Sequence, residues 1–538
     1  MLKGTITLKP SEKVVFASSM NSSANKNFWW KWLIVITILS LFFAISIDFA
    51  PYLHSDEFMI IDLGRIILNP HTEWSIAWIT KLDHPALLWS YIGPVVQEFI
   101  FEYFGQYGPR ISALVGAMVA ATTMVGWLHA RRVLANSAFI FGVIFFLDPL
   151  FVQSYTIGRI DGWAMGLCLA ACWIISDARL RLSYNKLFRG GLLLAGALTI
   201  TAFFTWPSSV FLFPLILLEL IYLFIKYRAT NKDYYILTSP IVFFGLGACT
   251  MGLLLLLPVF SLLVQQFINI TEGLKTNTRS GTEGGTPHIF YHFFTQCIAL
   301  FRIIKFSPIL VLSAIVCMAM KRETGLIVAW FTAVLVMLFT VVYIHRVQYL
   351  LPYFIAAIAG MYQKEDNLKN KHSTYLLKRS AISLLLLWSI GLSLFIRSAL
   401  AFNDKTYRNR AAVYKAAQVM IGKGKYKVLI IPYEFYYAGR SLNWQMYKPY
   451  LGQNEPFSTK ELERILPHVD YVITNFQSEE TAGFVQQLKK EGMRYQGDYN
   501  IYNFPVEKFN GITTNITRLR NLYSIFYQPY GPYRLYER

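Results

Sequence analysis

The sequence predicts a polytopic α-helical membrane protein of about eleven spans, followed by a C-terminal extracytoplasmic α/β or α+β domain. Three observations predict it. Of 538 residues, 55% are hydrophobic and only 15% charged, where a soluble chain carries about 25% charged residues. Apolar runs such as 32–50 and 236–264 reach the ~20 residues that a helix needs to cross a bilayer. Beyond residue 400 the long apolar runs give way to short strand-like and helix-like stretches.

Taken in order, residues 1–31 form a basic N-terminal segment and 32–400 a membrane domain. Its expected spans are 32–50, 110–128, 136–153, 163–178, 190–205, 209–225, 236–264, 306–320, 326–344, 347–362 and 380–400. The first span starts too far into the chain, and lacks the small-residue cleavage pattern, to be a signal peptide. The basic loops around Arg131-Arg132, Arg179 to Arg189, Lys226 to Asp233, Lys321-Arg322 and Lys364 to Arg379 alternate as cytoplasmic loops should. The first opposite loop, 51–109, opens with an acidic stretch. These patterns together set the N-terminus inside and residues 401–538 outside the membrane. The formal charge of +19 is thereby accounted for by membrane topology and membrane lipids. No basic-aromatic recognition motif accompanies it, so no nucleic-acid partner is expected.

The five cysteines, Cys168, Cys172, Cys249, Cys297 and Cys317, sit in or beside apolar runs and read as small buried hydrophobes. The loop 265–306 has a polar Gly-rich part, and His288 and His292 follow it at i,i+4 spacing. An amphipathic surface helix explains that spacing better than a metal pair. In the outer domain, 427–432 and 471–474 read as strands. Residues 481–491 read as a helix ended by Gly492. The tail 523–538 is rich in Tyr, with Pro529, Gly531 and Pro532.

The residues with chemistry gather in the first outer loop. Part of its charge has a plain explanation. Ser55 can cap a helix, Asp56 and Glu57 favour its positive N-terminus, and Asp62 and Arg65 can pair at i,i+3. Pro85 suits a first helical position after Asp83 and His84. The same residues also fit a lipid-linked sugar, whose phosphate lies at the interface and whose sugar lies in water. Transfer to a hydroxyl needs a base for the acceptor's proton and cations for the departing phosphate. Asp56 and Asp83 are the candidate bases. Arg65, Lys81, His84 and Arg159 are candidate phosphate ligands. Arg159 and Asp161 stand at the mouth of the fourth span, where ionisable groups either mark function or pair with each other. The corner at His345-Arg346 adds cations on the outer side.

In order along the chain, these features resemble the GT-C glycosyltransferases of the dolichyl-phosphate-mannose protein mannosyltransferase and aminoarabinose (lipid A) transferase families. The resemblance rests on Asp56-Glu57 with Asp62 and Arg65, Asp83-His84-Pro85, Phe104-Gly105 and Gly108-Pro109-Arg110. It continues through Asp148-Pro149-Leu150-Phe151, Arg159-Ile160-Asp161 and Gln348-Tyr349-Leu350-Leu351-Pro352, and it is fullest over 32–177. It implies a GT-C-like membrane domain and a polyprenyl-phosphate sugar as donor. The acceptor is a hydroxyl on a glycan, lipid or protein, and the transfer inverts. It implies Asp56 as base, with Glu57 and Asp83 in the catalytic set and Asp56 and Asp83 holding a divalent metal if one is used. Arg65, His84, Arg159, Asp161, His345 and Arg346 would surround the substrate and its phosphate. His84 stands where Lys is common, so a contact there depends on imidazole protonation. Two rival classes fit the same topology. A transporter or flippase for a lipid-linked or anionic glycan would show internal repeats and midplane polar groups. An envelope-assembly subunit would bind without turnover.

Overall fold

The computed structural model describes residues 23–49, 55–68, 90–182, 188–230, 239–260, 264, 287–304, 307, 309–310, 324–339, 342, 344–360, 362, 380, 383–402, 405–447, 462–463, 465–475, 483–501 and 530–538. For 23–25, 55, 56, 66, 287–292 and 344 it describes the backbone alone.

The membrane domain contains α1 (Ser23–Ala44), α2 (Ser55–Leu68), α3 (Ile92–Phe104), α4 (Gly108–Ala130), α5 (Ala135–Phe146), α6 (Pro149–Thr156) and α7 (Asp161–Arg181). It continues with α8 (Arg189–Thr205), α9 (Phe213–Thr230), α10 (Pro240–Leu256), α11 (Pro287–Ile304), α12 (Thr324–Leu338), α13 (Leu351–Gly360) and α14 (Ser383–Phe402). Among the described residues six helical segments are long and apolar enough to cross a membrane, seven with the bent pair α5–α6. The architecture is polytopic, as expected. The expected span 306–320 lies mostly outside the described residues. Leu33, Ile34, Ile38 and Leu41 on α1, Leu253 and Leu254 on α10, and Leu257 just beyond it are exposed. A soluble protein rarely leaves such continuous apolar faces bare, whereas hydrocarbon is their natural solvent.

The structure corrects the expected single span 136–153. It is broken into α5 and α6, bent by 56°. The cause is local. Asp148 caps α6 by accepting from Leu150 N at 3.0 Å, with Pro149 at the first helical position. Proline cannot continue the hydrogen-bond ladder of α5. The other Asp148 oxygen accepts from Ser307 at 2.8 Å. Cys168 and Cys172 are buried on α7 as expected, but Cys249 is exposed on α10.

At the basic-loop end, Glu219 of α9 is buried inside the bundle. It pairs with Arg131, and with Arg179 at 3.2 Å, and accepts from Ser176 at 2.8 Å and Trp127 at 3.2 Å. Two arginines read as plain loop charges therefore help tie α4, α7 and α9 together. Glu219→Ala strands both cations and is expected to cost about 3–5 kcal/mol, read as a lowered melting temperature in detergent. Glu219→Gln keeps the hydrogen-bond acceptor and should cost less. An unchanged melt for Glu219→Ala would contradict this packing role.

The C-terminal domain is a five-stranded mixed sheet of order β2-β1-β3-β5-β4, built from β1 (Lys427–Ile430), β2 (Gln445–Tyr447), β3 (Tyr471–Asn475), β4 (Arg494–Tyr499) and β5 (Tyr533–Glu537). Its helices are α15 (Arg410–Met420), α16 (Phe435–Ser441) and α17 (Phe484–Lys490). β1 runs parallel to β2 and β3, and β5 runs antiparallel to β3 and β4. Side chains alternate across a strand. Val428 and Ile430 accordingly pack with α15 and α16 on one face, and Leu429 with Leu466 and Leu488 on the other. A strand buried on both faces reads as a continuous apolar run, which is why β1 was visible in the sequence. The Tyr-rich tail supplies β5, a central strand not expected there.

Candidate active site at the outer junction

The first apolar core of the C-terminal domain does not end at the domain boundary. Phe58 and Ile61 of α2 belong to it, and the Phe58 ring lies 5.1 Å from those of both Tyr433 and Tyr436. The helix that begins with the Asp56-Glu57 pair is therefore clasped between the membrane domain and the outer domain.

Glu57 is fully buried. Arg110, at the start of α4, donates to it through Nε at 3.0 and 3.1 Å and through Nη2 at 2.8 Å. Tyr437 of α16 donates to Oε1 at 2.7 Å, and Arg410 Nη2 lies 3.6 Å from the same oxygen. Such a bidentate, charge-assisted pair is short and directional. Both oxygens of Glu57 therefore accept hydrogen bonds from buried donors, which anchors the start of α2. The backbone behind it is equally constrained. Gly158 has φ +76°, and a Cβ there would stand 3.0 Å from Glu57 Cγ. Gln97 of α3 donates to Gly158 O at 2.9 Å.

One turn further along α2, Asp62 is buried and accepts from Tyr436. Arg440 of α16 donates to both oxygens of Glu98 on α3, at 2.7 and 3.2 Å, and to the Tyr436 hydroxyl at 3.1 Å. Burial pushes the Asp62 carboxyl up to about 7, against the opposing pull of Arg65, Tyr436 and Arg440; Glu98 adds to the rise. Burial, and then Asp62 and Glu57 respectively, push the Tyr436 and Tyr437 phenols well above their ordinary value. Both stay protonated as donors. Helices α2 and α3 approach closely because residue 64 is glycine: a Cβ there would lie 2.1 Å from Pro94 O.

A second cluster lies behind Gly158. Arg159 donates to Asp161 Oδ2 at 2.6 Å, Ser154 to the same oxygen at 3.2 Å, and Tyr349 to Oδ1 at 2.9 Å. Gln348 bridges Ser154 at 3.2 Å and the His345 carbonyl at 2.8 Å. Arg159 also stacks over Trp206. The structure thus joins Arg159, Asp161 and the His345-Arg346 corner, which the sequence separates by more than 180 residues. Asp56 lies on the first turn of α2, and Arg65 near its end; Lys81, Asp83 and His84 lie outside the described residues. The His288 and His292 side chains do so as well. No group of three or more His, Cys, Asp or Glu able to hold a metal forms among the described residues.

Sequence reasoning passed over Arg410, Tyr436, Tyr437 and Arg440 altogether, and it noted Arg110 as the head of a span and part of the Gly108-Pro109-Arg110 motif, without a partner. For Arg110 a signal existed: an arginine leading an apolar span requires a partner.

No protein-family profile matches the chain, and no curated protein matches it by sequence. Solved structures do match. ArnT from Cupriavidus metallidurans bound to undecaprenyl phosphate aligns with a TM-score of 0.52 at 13% identity, over 87% of this chain and 96% of that one. Its apo state gives 0.53 at 13%, over 88% and 97%. The apo oligosaccharyltransferase of Archaeoglobus fulgidus gives 0.44 at 12%, over 96% and 89%. Along nearly the whole length of ArnT, then, this chain has the same polytopic fold with a C-terminal sheet domain, the GT-C fold that its ordered outer-loop motifs resemble.

Proposed function

We propose that the protein is a membrane glycosyltransferase that moves a sugar from a polyprenyl-phosphate donor to a hydroxyl of a glycan, lipid or protein on the extracytoplasmic face. The observation that carries this reading is the clasped helix α2. It presents Asp56 beside a fully buried Glu57 anchor, within the fold of a protein solved with undecaprenyl phosphate. A reacting carboxylate gains most when its backbone is fixed before substrate arrives, and Glu57, Arg110 and Tyr437 supply that rigidity.

In this reading Asp56 takes the proton of the acceptor hydroxyl as its oxygen bonds to the anomeric carbon. The bond from that carbon to the phosphate oxygen breaks, and polyprenyl phosphate leaves with the bonding pair. One base and one leaving group need no covalent intermediate, so configuration inverts. Asp83 positions the acceptor or, with Asp56, a divalent ion. Arg65, His84 and Arg159 and the His345-Arg346 corner hold phosphate charge. Glu57 and Asp161 orient cations. The protein sits in a bacterial inner membrane with its N-terminus in the cytoplasm.

The test is turnover. Purified protein in detergent is given polyprenyl-phosphate sugars and envelope glycans and lipids from cells lacking the protein, and products are read by mass spectrometry. A gained sugar with released polyprenyl phosphate is expected. The bent α5–α6 pair also suits a transporter. Movement of lipid-linked sugar across vesicles without any turnover would replace the present reading by that one.

A further inference from the structure

Helix α3 is held at both ends by one end of the membrane bundle. Just before its start, Ser90 donates to the Phe203 carbonyl in the last turn of α8 at 2.8 Å, and Tyr91 to the Leu255 carbonyl in the last turn of α10 at 3.1 Å. A Cβ at Gly93 would lie 2.4 Å from Thr205 O, where α8 ends. Near its finish, a Cβ at Gly108, the first residue of α4, would lie 2.7 Å from Ile100 O. The 13 residues of α3 make about 20 Å of helix. Its two ends meet the same side of the bundle, the side that carries the C-terminal domain. Helix α3 therefore runs along the membrane boundary and not across it.

The faces of α3 differ. Gln97, Glu98 and Phe101 turn toward protein: Gln97 to Gly158, Glu98 to Arg440 and Phe101 to the Tyr437 ring. Val96, Phe99 and Tyr103 recur at i, i+3 and i+7 and so share the opposite face, which Phe104 extends. All four are exposed, and the Phe99 and Tyr103 rings lie 4.5 Å apart. Glu102, the only exposed charged residue of α3, falls between Phe99 and Glu98 around the helix. The polar edge thus turns toward the outer domain. Such an aromatic patch is unfavourable in water. A helix with one apolar face lies naturally in the plane of a bilayer interface, where Tyr rings are favoured. Continuity identifies the occupant. Ile111 and Val115, in the first two turns of α4, are exposed and apolar, and the exposed Leu253 and Leu254 of α10 reach the end at which Tyr91 holds α3. The hydrocarbon that covers those spans meets α3 at both of its ends. We propose that Val96, Phe99, Tyr103 and Phe104 form an interfacial anchor by which α3 lies in the bilayer leaflet on the side of the C-terminal domain. Because α3 packs on α2 without a gap at Gly64, the leaflet then backs the helix that carries Asp56. This membrane contact stands whether or not the chain transfers sugar.

The experiment footprints the full wild-type chain, a single copy per nanodisc of palmitoyl-oleoyl phosphatidylcholine, with peptide mass spectrometry as the readout. Hydroxyl radicals probe from water, and a lipid-soluble aryl diazirine probes from hydrocarbon. Tyr103 is 70% exposed and Tyr495 of the outer domain 53%. With protein as their only cover, Tyr103 would be oxidised the faster of the two. In the leaflet the order should reverse, and the diazirine should label Phe99 and Tyr103 as it labels Leu253 and Leu254 of α10, the lipid-facing control. Oxidation of Tyr103 ahead of Tyr495 overturns the anchor. Protection of Tyr103 from radicals without diazirine label, while α10 is labelled, overturns it too, since protein and not lipid would then cover the patch.

Discussion

Asp56→Asn is expected to slow sugar transfer by about 10²–10⁴-fold, the usual worth of a general base, while melting like the wild type. Its neighbour should behave in the opposite way. Glu57→Ala leaves Arg110 buried and unpaired, removes the partner of Tyr437, and is expected to cost about 3–5 kcal/mol of stability. Transfer would then fall through loss of folded protein and through the looser backbone at Asp56, with the base itself still in place. Arg110→Ala should resemble Glu57→Ala, because each strands the other member of the same buried pair. The double variant should cost less than the sum of the two, since one interaction is lost in both. Melting curves and transfer rates, measured side by side on purified variants, separate the roles. Wild-type transfer by Asp56→Asn would sink the base assignment. Wild-type melting of Glu57→Ala would sink the anchor.

The contrast also shows what a single sequence can carry. The spans were legible because hydrocarbon imposes one rule along the whole chain, and α1, α4, α7, α9 and α10 fall where apolar runs do. The break at Asp148 was legible in principle, since an Asp followed by Pro is a helix start. An unbroken apolar count hid it. In the outer domain, β1, β3 and the helix before Gly492 followed from local pattern. β5 did not, because its place between β3 and β4 is decided by partners distant in sequence. The acid pair of α2 was visible as a candidate site, but not which acid the fold anchors. That distinction depends on Arg110, 53 residues away, and on Tyr437, 380 residues away. Neither spacing leaves a periodic trace. Glu219 is the opposite case: a lone acid in an apolar run announces a buried partner on energetic grounds alone.

The clasp between α2 and the outer domain should also respond to pH through Asp62. Its carboxyl sits at about 7 in the folded protein and at 3.8 when unperturbed. Between those values the folded state keeps a proton that the unfolded state has released. Stability therefore falls as pH rises from about 4 to 7, with a limiting slope of about 1.4 kcal/mol per pH unit for one proton, and the contribution levels off above that window. Arg65, Arg440, Tyr436 and Glu98 are the groups that bear on it. Of these, Tyr436 stays protonated throughout the window, since burial raises its phenol far above it. Asp62→Asn retains an oxygen to accept from Tyr436 but cannot ionise. Melting in detergent from pH 4 to 8 should show a shallower slope for the variant and a higher melting temperature than the wild type at pH 8. Because Tyr436 belongs to α16 and Asp62 to α2, the difference reads the docking of the outer domain on the helix that carries Asp56. Parallel melting profiles for the two proteins would mean that Asp62 is not held in the buried, proton-retaining contact described above.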